Sequence, residues 1–395
     1  MESPTQLSSL FNNLEVAFAS RSDKELQKMH LIFSAMNNST LVNLGIKLTN
    51  LAIKIHFPIK WIMKNTMFGH FCGGETIYEC EKSVKNLAKY QVKGILDYSV
   101  EGTGTEESFE FVKNEVLETI KTGKDNDAIP FAVFKMTGLG DFELMTKIQD
   151  GKKLSQTEET AYQNLIKRVD RICKYAHDSG TRLLIDAEDS WYQDTLDKIV
   201  YEVMEKYNQE RCVVFNTYQM YRHDMLDRLK KAHQKAQEKG YVLGAKLVRG
   251  AYMEKERERA EKLGYPSPIQ PDKASTDRDY NAALEYCVQN IDTMNLFSGS
   301  HNENSNLLLT ELIHQYDLQK NDERIFFSQL YGMSDNISFN LAKQGYNAVK
   351  YVPYGPVEKV MPYLSRRAEE NTSIAGQSSR ELDLIKKEIE RRKNQ

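Results

Sequence analysis

Cysteine is sparse and unpatterned in this chain of 395 residues: Cys72, Cys80, Cys173, Cys212 and Cys287 form no CxxC pair. An odd number spread over such a length argues against a disulfide scaffold or a zinc ribbon, and the five read as reduced thiols. Long apolar runs are missing as well, since none reaches the roughly 20 uncharged residues of a membrane-spanning helix. The first residues, MESPTQLSSLFNNLEVAFASRSDKE, lack the apolar core of a secretion signal and the Arg-rich, acid-poor character of a transit peptide. The expected location is therefore cytoplasmic. A net charge of -3 gives no reason to expect nucleic acid as a partner. With 40% hydrophobic and 28% charged residues, the composition is that of a globular chain.

What the chain does contain is a rhythm. From about Gly94, short apolar or β-branched runs end in a polar residue and give way to long charged amphipathic stretches. The runs are GILDYSV (94–100), FAVFKMT (131–137), RLLIDAE (182–188), VVFNTYQ (213–219), VLGAKLVRGA (242–251), MNLFSGSH (294–301), IFFSQL (325–330) and NAVKYVPY (347–354). Strands that alternate with helices imply parallel βαβ units, because a parallel pair needs a crossover. Eight such units predict an α/β chain with a closed (β/α)8 barrel of TIM type. An open doubly wound sheet is the main competitor, but no GxGxxG follows the first run. The stretch from Gln156 to His177 sets Ala161, Leu165, Val169, Ile172 and Ala176 at helical spacing.

Three regions are expected: a helical region over 1–90, the barrel over 91–375 and a charged helical tail over 376–395 without evident chemistry. Within the first, Lys47, Lys54, Lys60 and Lys64 punctuate an apolar stretch. Such a segment either packs on the barrel with its lysines in solvent or lies on an acidic membrane surface, and the packed reading is favoured.

Barrels of this class carry their active site at the carboxyl ends of the strands. Those ends offer Asp97, Lys135, Asp186 with Glu188, Asn216 with Gln219, Lys246 with Arg249, then His301, Gln329 and Tyr351. Two cations and a permissive glycine, Lys246, Arg249 and Gly250, suit a phosphate or an electron-rich cofactor ring. Beyond the eighth run, Tyr363, Arg366, Arg367 and Glu370 share one helical face. Adjacent arginines can clamp a carboxylate through their planar donor forks, although RRxxE alone is usually a solvated charge run. Asp186, Glu188 and His301 could ligate a metal. No HxH or HExxH spacing supports one, and none is expected.

At these residues the sequence resembles the proline dehydrogenase family. The likeness runs from about 90 to 375 through Lys135 in FKMT, DAE (186–188), FNTYQ (215–219), KLVRGAY (246–252) and Ser300–His301. It continues through QLYGM (329–333), YVPYG (351–355) and YLSRRAEEN (363–371). The resemblance implies FAD-dependent oxidation of L-proline to 1-pyrroline-5-carboxylate, with electrons passed to quinone and a peripheral contact with the inner face of the membrane. It implies that Lys135, Arg366 and Arg367 bind the proline carboxylate. Leu247, Tyr252 and Tyr351 would line the ring, Asp186 would sit beside the substrate, and Glu370 would pair with the arginines. FAD would be held by Asn216, Gln219, Lys246, Arg249, Gly250, Ala251, Ser300 and His301, with Gln329 nearby. Other readings are a flavin barrel for another secondary amine such as hydroxyproline, a non-catalytic proline-binding barrel, and a metal-dependent lyase with a Lys246 Schiff base.

Overall fold

The structure, a computed structural model, describes residues 10–55, 60–100, 104–373 and 377–395. The side chains of Lys54 and Glu370 lie outside the described residues, as does the boundary expected at 375 and 376. The strands are β1 (Lys93–Tyr98), β2 (Phe131–Lys135), β3 (Arg182–Asp186), β4 (Val214–Gln219), β5 (Leu243–Val248), β6 (Met294–Gly299), β7 (Ile325–Leu330) and β8 (Ala348–Tyr354). They follow one another in order around a closed parallel barrel. Each begins within one residue of the expected start. Several end two or three residues early, because the polar residues at the run ends leave the ladder to build turns. Met136–Gly138, for example, forms a 3₁₀ turn directly after β2.

The chain divides into two compact units, one spanning Met1–Glu101, Gln329–Gln344 and Ala348–Gln395, the other Gly102–Ser328 with Gly345–Asn347. In the second, the helices are α7 (Glu106–Gly123), α8 (Phe142–Gln149), α9 (Gln156–Ser179), α10 (Ser190–Tyr207), α11 (Met225–Lys239), α12 (Met253–Leu263), α13 (Lys273–Gln289) and α14 (Glu303–Gln315), after α1 to α6 of the first unit. Helix α9 shows how local sequence sets these bounds. Ser155 and Glu158 form a reciprocal capping box at its start, and Gly180 at φ 75 ends it in the left-handed region. Its Leu165, Val169, Ile172 and Ala176 are buried, as their spacing predicts.

At the amino ends of the strands, Phe131 meets Phe215, Phe297 and Phe326 edge-on at centroid distances of 5.5, 5.1 and 4.8 Å. Arg182 lies over Phe131 and Phe326. This aromatic plug fixes which residues face inward, because side chains alternate along a strand. Counting by two, Lys135 follows Phe131, Asp186 follows Arg182 and Gln219 follows Phe215. These three share the inward face at the carboxyl ends.

In the first unit, α1 (Leu14–Ala17), α2 (Asp23–Met36), α3 (Ser39–Lys54), α4 (Lys60–Lys64), α5 (Met67–Phe71) and α6 (Ile77–Ala88) precede β1. With them go α15 (Asp335–Lys343), α16 (Met361–Ser373) and α17 (Gln377–Lys393). Phe18, Leu26, Phe33 and Phe71 share one apolar core with Val357, Leu364 and Ile385. Beside it lies a buried ionic chain. Lys350, fully buried on β8, pairs with Asp335 at 2.9 Å, and Asp335 pairs with Arg21 at 3.0 Å. Burial alone would raise the Asp335 pKa, but the two cations hold it down at about 2. Glu381 of α17 accepts from the backbone N–H of Ser334 at 2.6 Å, and burial pushes its pKa up to about 7. The five cysteines are buried free thiols, and burial raises Cys80 to about 12.

Candidate active site

The carboxyl ends of β2, β3 and β5 bring three charged side chains together. Lys135 Nζ donates to Asp186 Oδ2 at 2.5 Å, and Lys246 Nζ donates to Asp186 Oδ1. One carboxylate thus spans two ammonium groups, and the trio carries one net positive charge. Burial of Asp186 opposes its ionisation, but Lys135 and Lys246 override that and hold it well below the usual carboxylate range. Lys246 is 6% exposed and Lys135 34%, so Lys135 is the more solvent-accessible of the two cations.

Glu188, two residues past Asp186, belongs to the same cluster. Its carboxylate accepts from both the backbone N–H of Thr137, at 3.0 Å, and the Thr137 hydroxyl. Burial raises its pKa to about 7 against the opposing pull of Thr137 and Lys135. The residue stood among the strand-end polar groups of the sequence, but its role there was open. Thr137 was not singled out. Its signal is positional: it follows Lys135 by two, as Glu188 follows Asp186.

Past β5, Arg249 is held on several sides. Its guanidinium reaches Asp277 at 2.6 Å, Ser300 Oγ at 2.8 Å and Ser305 Oγ at 2.9 Å, and it lies 4.4 Å from the Tyr280 ring centroid. Gly250 has φ 128, and a Cβ there would sit 2.6 Å from ring atoms of Tyr221. Only glycine fits this approach. The Tyr221 hydroxyl is buried without a hydrogen-bond partner. Ala251 is exposed, while Tyr252 and His301 are partly so. Gln219 is buried and donates its amide to Glu188 O at 2.7 Å.

Three candidates face elsewhere. Asn216 donates to Asp197 of α10 at 3.0 Å, so its amide points into the helix layer. It lies three residues before Gln219, and an odd interval along a strand reverses the face. Leu247 is fully buried and adjacent to inward-facing Lys246, which turns it outward by the same rule. Gln329 accepts from Ser338 of α15 at 2.7 Å. The first unit holds the remaining candidates. Tyr351 is 6% exposed on β8, adjacent to Lys350. On α16, Arg366 is partly exposed and Arg367 buried, with the Arg367 guanidinium 5.3 Å from the Tyr363 ring centroid. Among the described residues no group of three His, Cys, Asp or Glu side chains is placed to hold a metal.

These residues fit a flavin. Buried Lys246 and braced Arg249 supply positive charge for an electron-rich ring or a phosphate. Gly250 allows close backbone approach, and the unpartnered Tyr221 hydroxyl beside it is a polar atom that a bound group could satisfy.

The sequence profile of the proline dehydrogenase family matches residues 80–380. Proline dehydrogenase 1, mitochondrial, of Dictyostelium discoideum is 34% identical over 95% of this chain and 74% of its own length. Hydroxyproline dehydrogenase of Xenopus laevis is 31% identical over 95% of this chain and 88% of its own. Among solved structures, proline utilization A from Bdellovibrio bacteriovorus, inactivated by N-propargylglycine, superposes with a TM-score of 0.80 at 20% identity. The match covers 96% of this chain and 44% of that one, a likeness of fold. With the profile covering most of its length, this chain belongs to the proline dehydrogenase family of oxidoreductases.

Proposed function

We propose that this chain oxidises L-proline to 1-pyrroline-5-carboxylate with FAD as cofactor and passes the electrons on to quinone. The observation that carries the reading is the Lys135–Asp186–Lys246 cluster, a buried cation-rich group at the strand ends of a barrel from this family. The resemblance assigns carboxylate recognition to Lys135, Arg366 and Arg367, with Glu370 pairing with the arginines, and the walls of the proline ring to Tyr252 and Tyr351. Gln219, Lys246, Arg249, Gly250, Ala251, Ser300 and His301 would hold FAD. Asn216, Leu247 and Gln329, turned toward helices, are left out of these roles. When bound, FAD supplies the hydride acceptor at N5.

The work of the protein is then positioning. A carboxylate held by fixed cations orients the ring, and the aromatic wall limits its rotation. Loss of hydride from C5 and a proton from nitrogen forms the C=N bond, so proline must react as the neutral amine. The positive field of the lysine cluster favours that neutral form over the ammonium. A bulky Tyr351 crowds a 4-hydroxyl group, which favours proline over hydroxyproline despite the likeness to a hydroxyproline dehydrogenase.

A membrane surface is the second proposed partner. Leu41, Leu44, Leu48, Ile55, Trp61 and Ile62 are exposed large apolar side chains on or beside α3 and α4. Lys47 is exposed next to them. Among the described residues no helix is long and apolar enough to cross a membrane. Surface attachment at the inner face would bring the enzyme to membrane quinone.

The test of the catalytic reading is anaerobic titration of the purified protein with L-proline. Yellow protein whose visible flavin bands bleach with proline, and much less with hydroxyproline, is the expected result. Protein that stays colourless after incubation with FAD sinks it.

A further inference from the structure

Lys135 is fixed at its tip by Asp186, but a lysine chain also needs a fixed root. The turn that follows it, Met136–Gly138, is tied to the segment just past β3 through Thr137 and Glu188: one carboxylate oxygen takes the Thr137 N–H and the other its hydroxyl. Glu188 is itself locked in place. Its backbone N–H donates to Gln193 Oε1 at 2.7 Å, and its carbonyl accepts from Gln219 Nε2 at 2.7 Å. Gln193 Nε2 donates to Asp197 Oδ1 at 2.8 Å, where the Asn216 amide also arrives at 3.0 Å. Asn216 and Gln219 of the FNTYQ motif thus close one ring of bonds, Glu188 to Gln193 to Asp197 to Asn216, and back along β4 to Gln219. Its polar members are all buried or nearly so.

From this geometry we propose that Glu188 is a positioning residue for substrate recognition: through Thr137 it sets the root of Lys135, and with it the affinity of the enzyme for the carboxylate of its substrate. The inference rests on the proline-oxidation reading above. It also gives Asn216 a task, as the outer anchor of the ring that holds Glu188. Two ties from the end of β3 and the residues just past it, Asp186 to the tip and Glu188 to the root, leave Lys135 little freedom. An orienting cation works only when it is held in this way.

Two probes separate this role from general stability. L-Proline reports KM and kcat, and cyclopentanecarboxylate, which keeps ring and carboxylate but has no amine to oxidise, reports binding alone as a competitive inhibitor. In the holoenzyme, Glu188→Ala raises the proline KM and the inhibitor constant together by about ten-fold, while kcat changes by less than about three-fold. Glu188→Gln keeps an oxygen for the Thr137 N–H and restores both constants to within about three-fold of wild type. Thr137→Val, which keeps the N–H and loses the hydroxyl, falls between. Arg324→Ala removes ion pairs to Asp322 and Asp292 at the amino end of β7, away from this turn, and leaves both constants unchanged even though it lowers stability. If Glu188→Ala does not fold, the Thr137→Val and Glu188→Gln pair carries the test alone. Unchanged constants in Glu188→Ala and Thr137→Val, or an equal rise in Arg324→Ala, overturn the proposal. A wild-type enzyme that ignores proline overturns the parent reading as well. Wild type that bleaches with proline beside variants with unchanged constants removes only this inference.

Discussion

Asp186 stands between two ammonium groups, so its replacement has two separable effects. Asp186→Asn removes the negative charge that Lys246, 6% exposed, and Lys135 share. Breaking a buried pair from one side costs about 3 kcal/mol, because a buried charge loses attraction while its desolvation cost remains. A clear fall in melting temperature is expected, together with loss of proline turnover. A melting curve that matches wild type would mean that Lys246 finds another partner. Tyr351, on β8, tests selectivity. Cutting its ring back in Tyr351→Ser should raise the hydroxyproline-to-proline ratio of kcat/KM by roughly ten-fold, the discrimination that a steric contact of this size provides. No gain in that ratio removes the steric argument. At this scale the convergence of the strand-end charges was legible in the sequence, and the facing of several neighbours was not. Lys135, Asp186 and Lys246 were found because polar strand ends in a barrel converge. Asn216 was assigned to the flavin and Leu247 to the wall of the proline ring, although counting by two from Gln219 and Lys246 turns both outward. Glu188 lay in view, but the burial that lifts its pKa comes from packing that a sequence does not display.

At the scale of elements, α3 and α4 present a surface that needs a partner or tolerates water. Residues 39–74 contain four lysines and no acid, and the first carboxylate after them is Glu75. Lys60 and Lys64 both pair with Glu75, so part of that charge is already used. Exposed leucines with Trp61, 75% exposed, beside a basic segment match an interfacial helix. Deleting the N-terminal region is the wrong test, because Phe18, Leu26, Phe33 and Phe71 belong to the core of their unit. Leu44→Asp with Trp61→Ala keeps that core intact. The pair should lower partitioning onto anionic vesicles by about ten-fold, given about 25 cal/mol per Å² of apolar area withdrawn from water. Equal sedimentation of variant and wild type with the vesicles disproves the membrane face. The sequence showed the amphipathic character of this stretch but not its division into separate helices. The tail after Arg380 was legible only as a charged helix. In α17, Glu381 and Glu388 are buried, with their partners in Ser334, Arg391 and Arg392. Buried glutamates spaced seven apart look like a solvated stripe until the packing around them is known.

The whole molecule carries a pH signature written by groups that burial has shifted. Glu381 has a folded pKa of about 7 against an ordinary 4.5, and Glu188 is raised to about the same value. Between those limits the folded protein keeps protons that the unfolded chain has released, so each residue makes stability fall as pH rises from about 4.5 to about 7. His70 acts with the opposite sign. Burial lowers its folded pKa to about 3, so the unfolded chain binds the extra proton and stability rises with pH up to about 6.5. These contributions overlap, and the wild-type profile alone does not separate them. A difference experiment does, because His70 cancels between wild type and Glu381→Gln. Glutamine does not ionise, yet it keeps an oxygen for the Ser334 N–H. The advantage of the variant over wild type should therefore grow with pH across the window and level off above about 7. The gap of about 2.5 pH units, at about 1.36 kcal/mol each, sets a ceiling of about 3 kcal/mol. Melting temperatures of both proteins measured from pH 5 to 8 read this directly. A difference that stays constant over that range would mean that Glu381 ionises in the folded protein as it does in water, and that the Ser334 turn and α17 open to solvent there.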